Sequence, residues 1–331
     1  MNYIGSKYKL TKFIKSEIYK IAGETKEKIV CDIFAGTGAI GRSFKRDSKK
    51  IIANDVEYYS YVLNRNYIGN HTPLDYLLFL SELNQLEGKD GFIFNNYCDG
   101  GGNGRQYFSD ENGRRIDAIR EKIEEWKESK VVGEGMYYFL LASLIESADA
   151  LANTASVYGA FLKHLKKTAQ KSLVLNPANF ELNDAEHDVY NEDANEVIKR
   201  IEGDILYLDP PYNHRQYGSN YHLLNTIAEY KPFEPQGKTG LRKYVRSKWC
   251  QKNEISGVFE DLIKNAKFTH IFLSYNNEGL MSVDEVQRIM SKYGRYDLSQ
   301  ITYQRFKADK TDARNHKATD TMEYLHILEK N

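Results

Sequence analysis

The stretch Asp32-Ile33-Phe34-Ala35-Gly36-Thr37-Gly38-Ala39-Ile40-Gly41 begins inside a short apolar run and lies where that run is expected to turn into a helix. Gly36, Gly38 and Gly41 satisfy a G-x-G-x-x-G spacing. Glycine permits a tight turn at the end of a strand and lets a ligand approach the backbone closely. A strand, this turn and a helix in order therefore predict an α/β fold with a nucleoside-binding loop. A glycine turn without a ligand stays open as the alternative.

Further short apolar runs predict a sheet. Those typical of buried parallel strands cover residues 29–34, 50–53, 205–208 and 270–275. Two late runs at 299–306 and 322–328 predict an antiparallel closing pair, and 189–190 is a weaker strand candidate. Apolar residues at helical spacing predict an amphipathic helix over 10–21. Because strands alternate with helices, the predicted fold class is α/β, with a doubly wound, mostly parallel sheet.

The interval from about Tyr67 to Glu186 breaks this alternation. It contains a glycine-rich loop at 99–104 and helical patterns at 113–130 and 135–152. Such a long, helix-rich segment between two strands is typical of an inserted domain. The predicted domains are 1–66 together with 187–331, and a mainly helical domain inserted at 67–186.

The composition narrows the class of protein. Lysine and arginine total 46, as do aspartate and glutamate, so the overall charge gives no attraction to nucleic acid. No apolar run approaches the roughly 20 residues of a membrane-spanning helix, and the first residues lack a secretory signal pattern. The 3 cysteines are scattered, which argues against disulfides and a cysteine zinc site and suits the reducing cytoplasm. The histidines lack metal-ligand spacing, so we predict no metal site.

Two acidic positions follow predicted strands. Asn54-Asp55 ends the second strand, where a carboxylate can accept hydrogen bonds from both ribose hydroxyls of a bound nucleoside. A nicotinamide oxidoreductase would show the same feature, so the kind of nucleoside stays open at this point. Asp209-Pro210-Pro211-Tyr212 follows the 205–208 strand at its carboxyl end, where open α/β sheets bind ligands.

The Asp209-Pro210-Pro211-Tyr212 tetrapeptide indicates the chemistry. The Pro-Pro pair stiffens the backbone and fixes where the preceding carbonyls point. Asp209 and the Pro210 carbonyl then form two acceptors aimed at one point, which suits an amino group with two hydrogens, as on adenine or cytosine. Tyr212 offers a flat face on which a base can stack. We predict Asp209, Pro210 and Tyr212 as the catalytic residues.

In their order along the chain, these motifs resemble those of S-adenosylmethionine-dependent DNA adenine-N6 methyltransferases, the Dam-like class of bacterial restriction–modification systems. Phe34-Ala35-Gly36-Thr37-Gly38 resembles the family's F-x-G-x-G loop, and residues 209–212 its D-P-P-Y. Tyr3-Ile4-Gly5-Ser6-Lys7 and Asn191-Glu192-Asp193-Ala194 are similar to two further cofactor motifs. The resemblance implies a class I methyltransferase-like, Rossmann-like fold whose inserted helical domain recognises the DNA target.

The resemblance also implies residue roles. The implied cofactor-binding residues are Tyr3, Lys7, Asp32, Phe34, Gly36, Gly38, Asp55 and Asp193. Asp209 and the Pro210 carbonyl would hydrogen-bond the amino group of a flipped-out adenine in double-stranded DNA, with Tyr212 stacked on the base. The cofactor's methyl group is already electrophilic, so neither a metal nor a covalent intermediate is required. The enzyme is expected in the cytoplasm, where a separate restriction endonuclease could accompany it.

Two basic stretches without acids, 151–180 and 238–252, fit either a solvated surface or a phosphate-binding one. In a DNA enzyme, the loop after the catalytic motif favours phosphate contact. The candidate DNA-binding residues are Arg105, Tyr158, Arg215, Tyr217, Arg242, Lys243 and Arg246.

Other functions remain as alternatives. A related amino methyltransferase could act on cytosine N4, on RNA or on a glutamine side chain, although Asp209 argues against the glutamine and cytosine enzymes, which tend to carry Asn and Ser there. A non-catalytic DNA-binding relative would not be expected to keep Gly36, Gly38, Asp55 and Asp209. A nicotinamide oxidoreductase would leave the 209–212 motif without a use.

Overall fold

The computed structural model describes residues 7–304 and 320–331, and within them the chain forms two compact units. The first, called here the helical unit, comprises Glu57–Leu182 and Tyr217–Val245. The second, the sheet unit, comprises 7–56, Asn183–Gln216, 246–304 and 320–331. Each unit has its own hydrophobic core.

The sheet unit is built on a seven-stranded sheet of order β3-β2-β1-β4-β5-β7-β6. Its strands are β1 (Ile29–Asp32), β2 (Lys50–Asn54), β3 (Asp188–Tyr190), β4 (Glu202–Leu208), β5 (Lys267–Asn276), β6 (Gly294–Gln304) and β7 (Asp320–Lys330). Strands β1 to β5 are parallel, whereas β7 pairs antiparallel with both β5 and β6. The predicted α/β class, the mostly parallel sheet and the antiparallel closing pair are confirmed. The end of the predicted 299–306 run lies outside the described residues.

The register of the central strands aligns their carboxyl ends. Asp32, the last residue of β1, lies beside Ala53 of β2 and Tyr207 of β4. Asp55 and Asp209 are the next residues after β2 and β4. The parallel register therefore brings three carboxyl-bearing residues to one edge of the sheet, as expected for adjacent strands running in the same direction.

The sheet unit contains one α-helix before β1 and four further α-helices among the described residues. They are α1 (Thr11–Ala22), α2 (Ala39–Phe44), α8 (Ala194–Val197), α11 (Ile255–Asn265) and α12 (Val283–Met290). The predicted helix over 10–21 is α1 within one residue at each end. Apolar residues of α8, α11 and α12 pack with those of β1, β4 and β5 in the unit's core. Strand β5 is buried throughout 271–276, and most residues of this stretch are apolar.

The helical unit contains the remaining α-helices. They are α3 (Tyr58–Asn64), α4 (Leu77–Gln85), α5 (Phe92–Tyr97), α6 (Asp110–Glu128), α7 (Glu134–Leu151), α9 (Tyr217–Asn220) and α10 (His222–Glu229). The predicted helices at 113–130 and 135–152 correspond to α6 and α7. No helix among the described residues is long and apolar enough to span a membrane.

Two buried charges of α6 hold short helices in the helical unit. Asp117 accepts hydrogen bonds of 2.8 Å from the amides of Ile93 and Phe94 at the start of α5. Arg120 donates to the carbonyls of Ile227 and Ala228 near the end of α10, over 3.1 and 3.0 Å. Each charge satisfies backbone groups that a helix end leaves unpaired, and its sign complements the helix dipole.

The structural division and the sequence-based division differ in three segments, because residues 57–66 and 217–245 belong to the helical unit and residues 183–186 belong to the sheet unit. The sequence placed the insertion at 67–186 and left everything after residue 187 with the sheet. In the structure Tyr217–Val245 belongs to the helical unit. The reason is packing, because α10 contributes Leu223, Leu224 and Ile227 to the hydrophobic core that α6 and α7 also build.

Candidate active site

The loop between β1 and α2 has a backbone that only glycine adopts readily. Gly36 and Gly38 have φ values of 52° and 77°, in the left-handed region. The Gly38 amide donates to Ala35 O over 2.7 Å and so closes a tight turn before α2. Both glycines are buried, and a side chain at either position would strain the loop. The predicted glycine turn is present as expected from the sequence.

Asp32 is a buried carboxyl with one oxygen unused. It is 2% exposed, and its Oδ2 accepts a hydrogen bond from the Gly41 amide over 3.2 Å. Its Oδ1 has no hydrogen-bond partner within the described part of the chain. Burial raises the pKa of Asp32 to about 8; the Gly41 hydrogen bond opposes this rise, and the charges of Asp209 and Asp55 add to it. A buried, unpaired carboxylate oxygen fits a ligand that brings a positive charge, such as an ammonium group.

Asp55 joins the glycine loop to the second strand. Its Oδ2 accepts a hydrogen bond from the Gly36 amide over 2.8 Å. The preceding Asn54 donates from Nδ2 to the carbonyls of Ile33 and Glu192, each over 3.1 Å. The ends of β1, β2 and the segment after β3 are therefore tied together, and this fixes the loop geometry around the sheet edge.

The segment after β3 is fastened to the same place. Asn191 Nδ2 donates to the carbonyl of Asp55 over 2.8 Å. Asp193 is exposed and caps α8 by accepting a hydrogen bond from the Asn195 amide over 2.8 Å. It lies in the segment held beside the end of β2, and its cap fixes the side chain.

Asp209 shares a buried lysine with a second carboxylate. Lys7 Nζ lies 3.2 Å from Asp209 Oδ1 and 2.6 Å from Glu323 Oε1. Lys7 and Glu323 are buried, whereas the Asp209 side chain is 19% exposed. Burial raises the pKa of Asp209 to about 7; Lys7 opposes this rise and Glu323 adds to it. Asp209 is therefore an accessible acceptor that ionises near neutral pH.

Two aromatic residues near this edge of the sheet, Tyr212 and Phe34, are held in place by contacts with neighbouring residues. Tyr212 packs against the core of the sheet unit, and its carbonyl accepts a hydrogen bond from the Leu280 amide over 2.9 Å. Burial raises the pKa of Tyr212, so its hydroxyl stays protonated. Phe34 contacts Trp249 edge to face, with ring centroids 4.9 Å apart. Pro210 is buried and continues the rigid backbone after β4.

Two supporting residues of this site were not identified from the sequence. Glu323 lies on β7 and Ser274 on β5, and Ser274 Oγ donates to Glu323 Oε1 over 2.6 Å. The one available signal was an acidic residue inside the apolar run 322–328. Among the described residues, no cluster of His, Cys, Asp or Glu could hold a metal ion. Tyr3, predicted to bind the cofactor, lies outside the described residues.

The predicted DNA-binding residues differ in burial, and Arg105 and Tyr158 are the buried ones. Arg105 is 8% exposed and donates to the carbonyls of Asn96, Gly237 and Lys238. Tyr158 is fully buried, and its hydroxyl donates to Asp149 Oδ1 over 2.9 Å. These contacts use both polar groups inside the helical unit, where they hold loops in place.

The other candidates are nearer the surface. Arg215, Lys243 and Arg246 are exposed, whereas Arg242 is half-buried. Arg242 pairs with Glu229 over 2.7 Å. The Tyr217 ring stacks on Tyr221 with centroids 5.9 Å apart.

The chain combines a mostly parallel sheet with an Asp209-Pro210-Pro211-Tyr212 motif directly after β4. The family model of the D12 class N6 adenine-specific DNA methyltransferases matches residues 3–289, and the chain belongs to this family. The chain is therefore an adenine-N6 DNA methyltransferase, and the predicted family, function and enzyme class are confirmed.

Three relatives match this chain along nearly all of its length. It is 61% identical to the type II methyltransferase M.NlaIII of Neisseria lactamica, covering 100% of this chain and 99% of that protein. It is 39% identical to M.CviAII of Paramecium bursaria Chlorella virus 1, covering 99% and 98%. It is 38% identical to M.FokI of Planomicrobium okeanokoites, covering 100% of this chain but 53% of that protein.

Proposed function

We propose that this DNA adenine-N6 methyltransferase binds S-adenosylmethionine at the carboxyl edge of its sheet and transfers the methyl group to a flipped-out adenine in double-stranded DNA. The observation that carries the proposal is the alignment of Asp32, Asp55 and Asp209 at the carboxyl ends of the adjacent strands β1, β2 and β4. One carboxyl each is then available for an ammonium group, for ribose hydroxyls and for the adenine amino group.

The cofactor site is supported by the chemistry of its residues. Asp32 Oδ1 would accept from the methionine ammonium group, because this buried oxygen has no partner among residues 7–304 and 320–331. Gly36 and Gly38 would lie against the methionine part, and Asp55 and Asp193 would bind the ribose and the adenine of the cofactor. Lys7 and Phe34 would complete the same site. When bound, the cofactor supplies a methyl group made electrophilic by its sulfonium.

The residues after β4 orient the target base. Asp209 and the Pro210 carbonyl would accept the two hydrogens of the adenine amino group, which turns the nitrogen lone pair toward the methyl group. Tyr212 would stack on the base and offset part of the stacking lost when it leaves the duplex. The rigid Pro210-Pro211 backbone keeps these groups in place without a rearrangement during the reaction.

Contacts to the DNA divide into direct and indirect ones. The exposed Arg215, Lys243 and Arg246 suit phosphate contacts, and Arg242 would add to them. Tyr217 would lie on the substrate face of the helical unit. Arg105 and Tyr158, which are buried, would act by fixing the loops that carry the contacts.

The biological role follows from the relatives. Those that match the whole chain are named type II methyltransferases. By this similarity the chain would be the modification enzyme of a restriction–modification system, protecting cytoplasmic DNA from a separate restriction endonuclease.

The experiment is expression in a bacterial host without adenine methylation, followed by sequencing that reads modified bases. We expect N6-methyladenine at every copy of one short sequence and nowhere else. In parallel, purified protein with tritiated S-adenosylmethionine should label unmethylated plasmid DNA, but not RNA or protein. Label in cytosine, RNA or protein would reject the proposed substrate, and failure of S-adenosylmethionine to bind in calorimetry would reject the cofactor.

A further inference from the structure

One buried ammonium group faces two carboxylates behind the catalytic motif, and it is not shared equally. Lys7 Nζ is 2.6 Å from Glu323 Oε1 but 3.2 Å from Asp209 Oδ1. The shorter contact is also the more buried, since Lys7 is 6% and Glu323 2% exposed. Because shorter charge-assisted hydrogen bonds are the stronger ones, Lys7 makes its stronger hydrogen bond with Glu323, while its charge acts on both carboxylates.

Glu323 is itself fixed from two sides. Ser274 Oγ donates to its Oε1 over 2.6 Å, the same oxygen that Lys7 contacts. The antiparallel ladder between β5 and β7 places Glu323 opposite Asn276 and so sets its distance from the site. Lys7 and Glu323 are 316 residues apart in the sequence, so this contact joins the two ends of the chain.

Burying the Glu323 carboxylate costs free energy of folding, so stability alone does not explain this residue. Glu323 Oε2 has no hydrogen-bond partner among the described residues, and an unsatisfied buried carboxylate oxygen carries a desolvation penalty. Apolar residues of similar volume commonly replace a buried ion pair without loss of stability. A role in the chemistry of the neighbouring Asp209 accounts for the charge better than a role in folding.

We propose that Glu323 is a positioning residue for methyl transfer, which acts through Lys7 and draws the ammonium group away from Asp209. Lys7 then steadies one oxygen of Asp209 without neutralising it. Asp209 keeps enough negative charge to accept a hydrogen bond from the adenine amino group. This inference rests on the proposed function of Asp209.

The arrangement predicts opposite changes in the pKa of Asp209 when Glu323 or Lys7 loses its charge. Loss of the Glu323 charge removes a neighbour that raises the pKa of Asp209, so that pKa should fall. Loss of the Lys7 charge removes the group that lowers the pKa of Asp209, so that pKa should rise. Within the described residues, Asp209 also interacts with Asp32 of β1, Tyr207 of β4 and Tyr212, and these groups are unchanged in both variants.

The test compares Glu323→Gln and Lys7→Gln with the unchanged enzyme. Single-turnover rates are measured from pH 5.5 to 9, with enzyme in excess over unmethylated plasmid DNA and with saturating tritiated S-adenosylmethionine. We expect Glu323→Gln to lower the plateau rate by about tenfold, because the acceptor is weakened, and to move the acid limb of the profile to lower pH. Lys7→Gln should move the acid limb to higher pH. Glu323→Asp, which keeps the charge, should recover part of the plateau rate.

The outcomes separate this inference from the proposed function. If the unchanged enzyme methylates adenine but both variants keep its acid limb, or both move it in the same direction, Glu323 does not act through Asp209. A loss of rate that merely follows a lower melting temperature, with no shift in the pH profile, would also overturn the inference. An unchanged enzyme that does not methylate adenine would instead reject the proposed function.

Discussion

The amide of Gly36 donates a hydrogen bond to Asp55 Oδ2 over 2.8 Å, and this contact joins the glycine loop after β1 to the end of β2. The same carboxylate is the proposed acceptor for the cofactor's ribose. Under this proposal Asp55 would have two functions, since it contacts the glycine loop and would also offer its charge to the ligand. The two functions can be separated by substitution, because an amide retains the acceptor oxygen but not the charge.

We expect Asp55→Ala to weaken S-adenosylmethionine binding by more than about tenfold, the range for losing a hydrogen bond to a charged group. Asp55→Asn should lose less, because its amide oxygen can still accept from Gly36. Calorimetric titration gives both affinities. Glu202→Gln, an exposed position at the opposite end of β4, is the control and should bind like the unchanged enzyme. Equal affinity of Asp55→Ala and the control would disprove the ribose assignment.

Asp209 is predicted to address the target base and not the cofactor. Asp209→Ala should abolish methyl transfer while leaving S-adenosylmethionine affinity within a few-fold of the unchanged enzyme. Asp209→Asn keeps the shape and a weaker acceptor, so we expect a small residual rate. Tritium transfer to unmethylated plasmid DNA and calorimetry measure the two quantities separately. If cofactor binding were lost to the same degree as activity, the assigned role would be wrong.

Substitutions of Tyr212 distinguish a stacking role of its ring from a hydrogen-bonding role of its hydroxyl group. Tyr212→Phe keeps the aromatic face and should retain most of the activity. Tyr212→Ala removes that face and should cost about 1–3 kcal/mol, the range for a base stacked on an aromatic side chain. The loss should shrink on a duplex with a mismatch at the target adenine, where flipping is easier. Single-turnover rates on matched and mismatched duplexes measure this, and equal damage from both substitutions would assign the role to the hydroxyl group.

The loop after α10 is expected to bind phosphates through its exposed members. Lys243→Gln with Arg246→Gln should reduce the slope of log affinity against log salt by about 2, since each lost phosphate contact contributes roughly 0.9. Adding Arg242→Gln should reduce the slope further by a smaller amount than either of the other substitutions, because Arg242 is already paired with Glu229. Lys26→Gln with Lys49→Gln, exposed before β1 and β2, is the control. An unchanged slope, with binding measured by fluorescence anisotropy, would assign the loop to the solvated surface.

Most of the sheet could be predicted from the sequence because its strands are buried on both faces. The runs at 50–53, 205–208 and 270–275 are almost continuously apolar, and the structure extends each of them by one or more residues. The short strand β3 has no fully buried residue and was correspondingly weak in the sequence. The residues at the sheet edge were found because motifs place them directly after strands.

Long-range partners could not be predicted in the same way. The contact between Lys7 and Glu323 depends on the register of β5 and β7, which no local pattern encodes. Arg105 illustrates the same limit, because its charge suggested a surface contact. In the structure it donates to the carbonyl of Asn96 and to carbonyls more than a hundred residues further along the chain. Burial of a charged side chain becomes evident only once its distant acceptors are known.

Asp32 gives a prediction about stability and pH. Its pKa is raised from 3.8 to about 8 in the folded state, so between these values the folded protein holds a proton that the unfolded chain has lost. The free energy of unfolding therefore falls as the pH rises from about 4 to 8. Below this window Asp32 carries no penalty, and above it the full cost of a buried, partly unpaired charge is present.

Asp32→Asn should therefore stabilise the cofactor-free protein in a pH-dependent way. The amide can still accept from the Gly41 amide and never ionises, so the gain should be near zero at pH 4. It should rise to the order of a few kcal/mol at pH 8.5, because one pKa unit corresponds to about 1.4 kcal/mol. Urea midpoints at pH 4, 6 and 8.5 for the two proteins measure the difference. The same substitution should remove the stabilisation that S-adenosylmethionine gives the unchanged enzyme, since the ammonium group loses its carboxylate. A gain that is equal at all three pH values would show that Asp32 does not carry the buried charge.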